Sequence, residues 1–224
     1  MKQFLYQYRH ALAFLYLPFY MICFVYLENK NTEDYHVIKM NLDDFIPFNE
    51  LFIIPYLLWF AYIAITVLYF FFTNKQDFFR LCLFLFTGMT ICLIIYYFWP
   101  NGHNLRQDLT KLGRENIFTQ TVAYLYTIDT STNVCPSIHT LNSIGACIAI
   151  FHSNVLKKKH FIRSSALVLT ISICLSTVFL KQHSIFDVFC AIVLSLVMYH
   201  ISYGPKFEQI SEQVRKPAIA HNHH

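Results

Sequence analysis

Charge is scarce in this sequence. Asp, Glu, Lys and Arg together make up 13% of the chain, whereas 56% is hydrophobic and 18% aromatic. Soluble domains carry about 25% charged residues, so an ordinary soluble fold is excluded. Glycine is scarce too, with five residues in 224, and none of them builds a glycine-rich phosphate loop. The period-two alternation of a membrane β-barrel is missing, as are internal repeats and low-complexity tracts. A disulfide framework is also excluded. The seven cysteines are odd in number, and Cys23, Cys82, Cys92, Cys147, Cys174 and Cys190 fall inside apolar blocks, where a thiol acts as a small hydrophobe. Only Cys135 stands at a loop edge.

What the sequence has is long apolar runs. Six can be marked, at about 11–27, 51–72, 81–99, 137–152, 164–180 and 185–203. A bilayer-spanning helix needs about 20 such residues, and a helix satisfies its own backbone in lipid. The pattern predicts an all-α polytopic membrane protein, one domain over residues 1–220 with six transmembrane helices. The first run is too long, and lacks the following small-residue site, for a signal peptide. The closing "AHNHH" at 220–224 reads as a tag remnant, so the net charge of +4 is discounted as a guide to partners.

Lysine and arginine collect at one set of helix ends: Lys2 and Arg9, Lys75 and Arg80, "KKKHFIR" at 157–163, then Lys206, Arg215 and Lys216. By the positive-inside rule these ends and both termini are cytoplasmic. "KKKHFIR" reads as part of this topology signal, and no nucleic-acid partner is expected. Loops 28–50, 100–136 and 181–184 then share the non-cytoplasmic face. These last two loops and the adjoining helix ends hold the reactive residues.

"KQHSIFD" places His183 and Asp187 four apart, one helical turn from each other. A carboxylate that accepts one ring N–H fixes the tautomer and leaves the other nitrogen free to attack. The pair can equally be a structural tie between loop and bundle. "CPSIH" starts a helix with Pro136 in its first turn. The free N–H groups near Ser137 and Ile138 favour an anion such as phosphate. His139 at the same mouth is suited to protonating a leaving oxygen; a Pro-Ser pair is otherwise simply a helix start. Arg106 offers a planar fork of donors for phosphate oxygens, with Lys181, Lys111 and Arg114 as further cations.

These residues resemble the type 2 phosphatidic acid phosphatase (PAP2) superfamily of lipid phosphatases and phosphotransferases. Its signatures are K-x6-R-P, P-S-G-H and S-R-x5-H-x3-D. "PSIH" at 136–139 resembles the second, with Ile138 in place of glycine. "STVFLKQHSIFD" at 176–187 resembles the third and keeps Ser176, His183 and Asp187. "NLRQ" at 104–107 is similar to a reduced first signature that retains Arg106. Trp99, Gln107 and Thr177 stand where the family has lysine, proline and arginine, and a Ser-Thr pair in this place is also similar to the inositol-phosphoceramide synthase branch.

The resemblance implies His183 as the nucleophile and Asp187 as its orienting partner. It implies His139 as general acid and base, with Arg106, Ser137 and the Ile138 amide gripping phosphate and Lys181 assisting. It implies no metal and no other cofactor. The expected substrate is a lipid phosphate or pyrophosphate from the bilayer, met at the outer face of the plasma membrane. Phosphatidic acid, phosphatidylglycerol phosphate and a polyprenyl pyrophosphate all fit. Two other readings stay open: a zinc site from Cys135, His139, His183 and Asp187, and a transporter marked by its ionisable residues.

Overall fold

The computed structural model describes residues 8–30, 34–205 and 207. Lys2, Lys206, Arg215, Lys216 and the 220–224 tail lie outside the described residues. Among the described residues, eight α-helices follow one another: α1 (Tyr16–Lys30), α2 (Asn41–Phe45), α3 (Ile53–Thr73), α4 (Lys75–Phe98), α5 (Ile117–Ile128), α6 (Ile138–His152), α7 (His160–Phe179) and α8 (Ile185–Tyr203). Short 3-10 turns at Arg9–Leu15 and Glu50–Phe52 lead into α1 and α3.

Among the described residues, five stretches are long and apolar enough to cross a membrane: Arg9–Lys30, Glu50–Thr73, Lys75–Phe98, His160–Phe179 and Ile185–Tyr203. The sequence predicts six. The difference is α6, whose 15 residues reach about 22 Å at 1.5 Å per residue, short of the ~30 Å hydrocarbon core. Its surroundings explain why a short helix suffices. α6 packs against α3, α4, α7 and α8, so it faces protein and can carry buried Thr140, Asn142 and Ser143. The approach to α4 is close: a Cβ added at Gly145 would sit 2.5 Å from the Phe84 ring.

The sequence predicts a loop over 100–136, but this segment contains α5. Asn116 caps this helix, accepting from the Phe118 and Thr119 amides at 2.9 and 3.0 Å while the Thr119 hydroxyl accepts from the Asn116 amide at 2.9 Å. Twelve residues interleaved with threonine and glutamine are too short and too polar to read as a span, and Ile117, Tyr124 and Ile128 remain exposed.

The connections at one end of the bundle are laced together. His36–Val37 (β1) pairs in parallel with Asn101–Gly102 (β2), and Gly102 also bridges to Thr132. Gly102 has no room for a side chain, because a Cβ there would lie 2.7 Å from the Ser131 carbonyl and the Tyr35 ring. This end gathers the C-termini of α1, α4, α5 and α7 and the N-termini of α3, α6 and α8. All of the residues singled out in loops 100–136 and 181–184 are therefore brought to one end.

Candidate active site

The turn between α7 and α8 is built on Thr177, the residue that replaces the family's arginine. Its carbonyl accepts from the amides of both Gln182 and His183, at 2.9 and 3.0 Å. Lys181 adopts a left-handed φ of 55°, uncommon for a non-glycine residue. It is anchored there by its Nζ, which donates to the Asp43 carbonyl at 2.6 Å.

At the start of α8, the Ser184 hydroxyl accepts from the Phe186 amide (3.2 Å), and Asp187 Oδ2 accepts from the Ser184 amide (2.9 Å). The same Oδ2 lies 3.3 Å from His183 Nδ1. Asp187 thus does two things at once: it closes a capping box and turns the imidazole so that Nε2 is the nitrogen left for the adjoining cavity. Asp43, on α2, reinforces this helix end. Its Oδ2 accepts from the Ser184 hydroxyl at 2.6 Å and its Oδ1 from the Ile185 amide at 2.9 Å, placing a carboxylate at the positive end of the helix dipole.

The second element comes from the start of α6. Asn101 grips the preceding strand of chain: its Oδ1 accepts from the Val134 and Cys135 amides (3.0 and 2.8 Å) and its Nδ2 donates to the Cys135 carbonyl (3.1 Å). The Tyr96 hydroxyl donates to the Pro136 carbonyl at 2.6 Å, and the Ser137 amide to the Asp187 carbonyl at 3.2 Å. His139 is consequently held between the rings of Tyr56 and Trp59, at centroid distances of 4.7 and 4.5 Å. Its ring centroid stands 5.7 Å from that of His183. Neither nitrogen of His139 has a hydrogen-bond partner among the described residues.

The two histidines share a cavity of about 300 Å³. Its walls come from Tyr20, Phe24 and Glu28 on α1, Tyr56 and Trp59 on α3, Asp129 after α5, and Ile138, Gln182 and His183. Among the described residues that line it there is no lysine or arginine.

Three of the predicted phosphate contacts stand outside the wall. Ser137 is fully buried and uses its Oγ to accept from the Thr140 amide at 3.4 Å. Lys181 points to Asp43. Arg106 directs Nη1 to the Tyr126 carbonyl (2.9 Å) and Nη2 to the carbonyls of Asp129 and Thr130 (2.7 and 2.8 Å) and to Gln182 Oε1 (2.8 Å). Arg114 forms a two-pronged pair with Glu50 at 2.8 and 2.6 Å, and Lys111 pairs with Asp108 at 3.0 Å.

Gln182 is the residue the sequence leaves unread. Because Arg106 can only donate, the Gln182 oxygen must face it, and Nε2 is then turned away. That amide nitrogen is buried and has no hydrogen-bond partner among the described residues. The Gln182 carbonyl accepts from His103 Nε2 at 2.7 Å, and His103 Nδ1 accepts from the Leu105 amide at 3.2 Å. Burial holds the His103 pKa down to about 4, which keeps this strut neutral. Burial also pushes the Asp129 carboxyl above its ordinary range, although Tyr56 donates to it at 2.9 Å. A polar residue between two already suspicious ones, Lys181 and His183, was the available signal for Gln182; Asp43 and Asp129 carried none beyond being acids near helix ends.

Cys135 packs against Cys190 beside Asp187, and burial raises its thiol well above the usual range. Among the described residues no three His, Cys, Asp or Glu side chains converge closely enough to hold a metal ion.

The family model described as the PAP2 superfamily matches residues 110–209. This match supports a PAP2 superfamily assignment for the segment from just before α5 to just beyond α8, and with it an activity of the phosphatase or phosphotransferase type. The match begins four residues after Arg106, so the reduced first signature lies outside it. No curated protein and no solved structure matches the chain. Five apolar helices among the described residues, together with this match, mark it as a membrane protein.

Proposed function

We propose that the chain is an integral membrane phosphatase that removes phosphate from a lipid phosphate or pyrophosphate, at the non-cytoplasmic face of the plasma membrane. The observation that carries this reading is the His139–His183 pair in one cavity, with Asp187 behind His183. His183 Nε2 attacks phosphorus, forming a P–N bond as the P–O bond to the lipid breaks. His139 gives its proton to the departing alkoxide. Water then attacks phosphorus, returns a proton to His139, and the P–N bond breaks to release phosphate and free His183.

Asp187 stabilises the charge that develops on the His183 ring. The phosphoryl oxygens are held by the Ile138 amide and by Gln182 Nε2. Arg106 acts through Gln182, and Ser137 through the helix start it caps; Lys181 serves by fixing the turn that carries His183. The substrate comes from the bilayer, and membrane lipids are the expected partners.

A phosphotransferase is the second reading. The aromatic walls around His139 favour it, because they suit a lipid hydroxyl as acceptor in place of water. Phosphate release from a panel of lipid phosphates, by purified wild type and His183→Ala in detergent, tests the proposal. Release that the substitution abolishes supports the phosphatase; release that survives it contradicts the assigned nucleophile. Transfer to an added lipid alcohol without release selects the second reading.

A further inference from the structure

A site for an anionic phosphate would be expected to present cations, yet the described walls of this cavity present two carboxylates, Glu28 and Asp129. Asp187 stands behind His183, adding a third. Arg106 offsets part of this charge from the far side of Asp129, where it lines a separate outer crevice with Asp129. Glu28 Oε1 accepts from the Thr130 hydroxyl at 2.7 Å, and Asp129 accepts from Tyr56. Neither is neutralised by a salt bridge to lysine or arginine among the described residues. The same cavity is lined by the aromatic rings of Tyr20, Phe24 and Tyr56. Carboxylates together with π faces form a surface that attracts a cation.

A second observation points to a ligand in the same space. Gln182 is 2% exposed, lines the cavity, and leaves Nε2 without a partner among the described residues. A buried N–H of this kind is costly unless something accepts from it. One molecule satisfies both ends: an acceptor oxygen for Gln182 beside the histidines, and a positive charge for Glu28 and Asp129.

Building on the phosphoryl-transfer reading above, we propose that the substrate is a phospholipid bearing a cationic nitrogen close to its phosphate, of the aminoethyl phosphate or trimethylammonioethyl phosphate type. The phosphate lies against His183, His139 and Gln182, and the cation lies by Glu28, Asp129 and the neighbouring rings. Exposed Met21, Phe60 and Ile128 on the same wall leave an apolar side for the lipid chain. The carboxylate of Asp129, which has no lysine or arginine salt bridge among the described residues and is pushed up by burial, is the group such a cation would stabilise.

The chain has two tryptophans, and Trp59 lines the cavity, so Trp99→Phe isolates a fluorescence reporter. Binding is measured in micelles, in a His183→Ala background that blocks turnover, for two matched pairs. The diester pair is phosphatidylcholine against phosphatidylmethanol; the monoester pair is sphingosine 1-phosphate against lysophosphatidic acid. The expected result is at least about tenfold tighter binding of the cationic member in one pair, worth about 1.4 kcal/mol. The pair that shows it identifies a diester or a monoester substrate. Glu28→Gln with Asp129→Asn should then equalise the two members. Equal affinities in both pairs, in the protein that keeps both carboxylates, would overturn the proposal without reliance on how the acidic variants fold. Phosphate release and transfer are followed in parallel with His183 intact. Cation-selective binding with no phosphoryl chemistry contradicts the active-site reading alone, whereas turnover without selectivity contradicts this proposal alone.

Discussion

Arg106 and Gln182 are joined by a single hydrogen bond, Nη2 to Oε1 at 2.8 Å, and that bond decides which end of the glutamine amide faces away from the arginine. The guanidinium is otherwise committed to three backbone carbonyls. In the proposed mechanism Arg106 is therefore a positioning residue, and Gln182 is the group that reaches the ligand.

Removing either partner should have nearly the same effect. Gln182→Leu and Arg106→Leu are each expected to lower kcat/KM by about tenfold or more, the scale of a lost hydrogen bond to a charged group. The double variant should be no worse than the poorer single one. Steady-state kinetics on all four proteins measures the coupling; additive losses would mean that Arg106 and Gln182 act separately.

Asp187 serves the helix cap and the histidine together, and asparagine separates the two. Asp187→Asn keeps an oxygen for the Ser184 amide, so the melting midpoint should move little. It also weakens the orientation and charge stabilisation of His183, and kcat should fall by about a hundredfold or more, within the range of acid–base effects. Thermal shift and kcat measured on the same preparation test the split.

Asp43→Ala removes the acceptor for the Ser184 hydroxyl and the Ile185 amide. A lost cap costs about 0.5–2 kcal/mol. The N-terminus of α8 should then exchange its amide hydrogens faster, and KM should rise along with a fall in kcat as His183 loses its fixed place. Hydrogen exchange of the peptide covering 183–190 reads the first effect directly.

His103 makes stability depend on pH. Its ordinary pKa of 6.5 is lowered to about 4 by burial, so the folded chain resists a proton that the unfolded chain accepts. Stability is whole above about pH 6.5 and is lost as pH falls toward about 4, by roughly 3 kcal/mol in all. The melting midpoint should fall over that window, and His103→Gln should flatten the slope. An unchanged slope would assign the acid sensitivity elsewhere.

Much of this arrangement can be read from the chain. The apolar runs mark the helices, and "PSIH" with "KQHSIFD" marks His139, His183 and Asp187, because period and spacing are local properties. The sixth expected span corresponds to α6, a shorter apolar helix whose enclosure by four neighbours substitutes for length. α5 was missed because an amphipathic 12-residue helix lacks the signal of a span. The cations were the least legible. Arg106, Lys181, Arg114 and Lys111 look alike in sequence, and only their partners show that each is spent on a carbonyl or a carboxylate. Asp43 and Asp129 became informative through contacts with residues 141 and 73 positions away.

In the proposed mechanism His183 carries the phosphoryl group. A brief quench of the purified protein with a 32P-labelled lipid phosphate, followed by mild alkaline denaturation and peptide mapping, tests it most directly. The expected result is an acid-labile, alkali-stable label on the peptide containing His183, absent from His183→Ala and persisting longer in His139→Ala. A label on another residue, or turnover by His183→Ala at the wild-type rate, would contradict it.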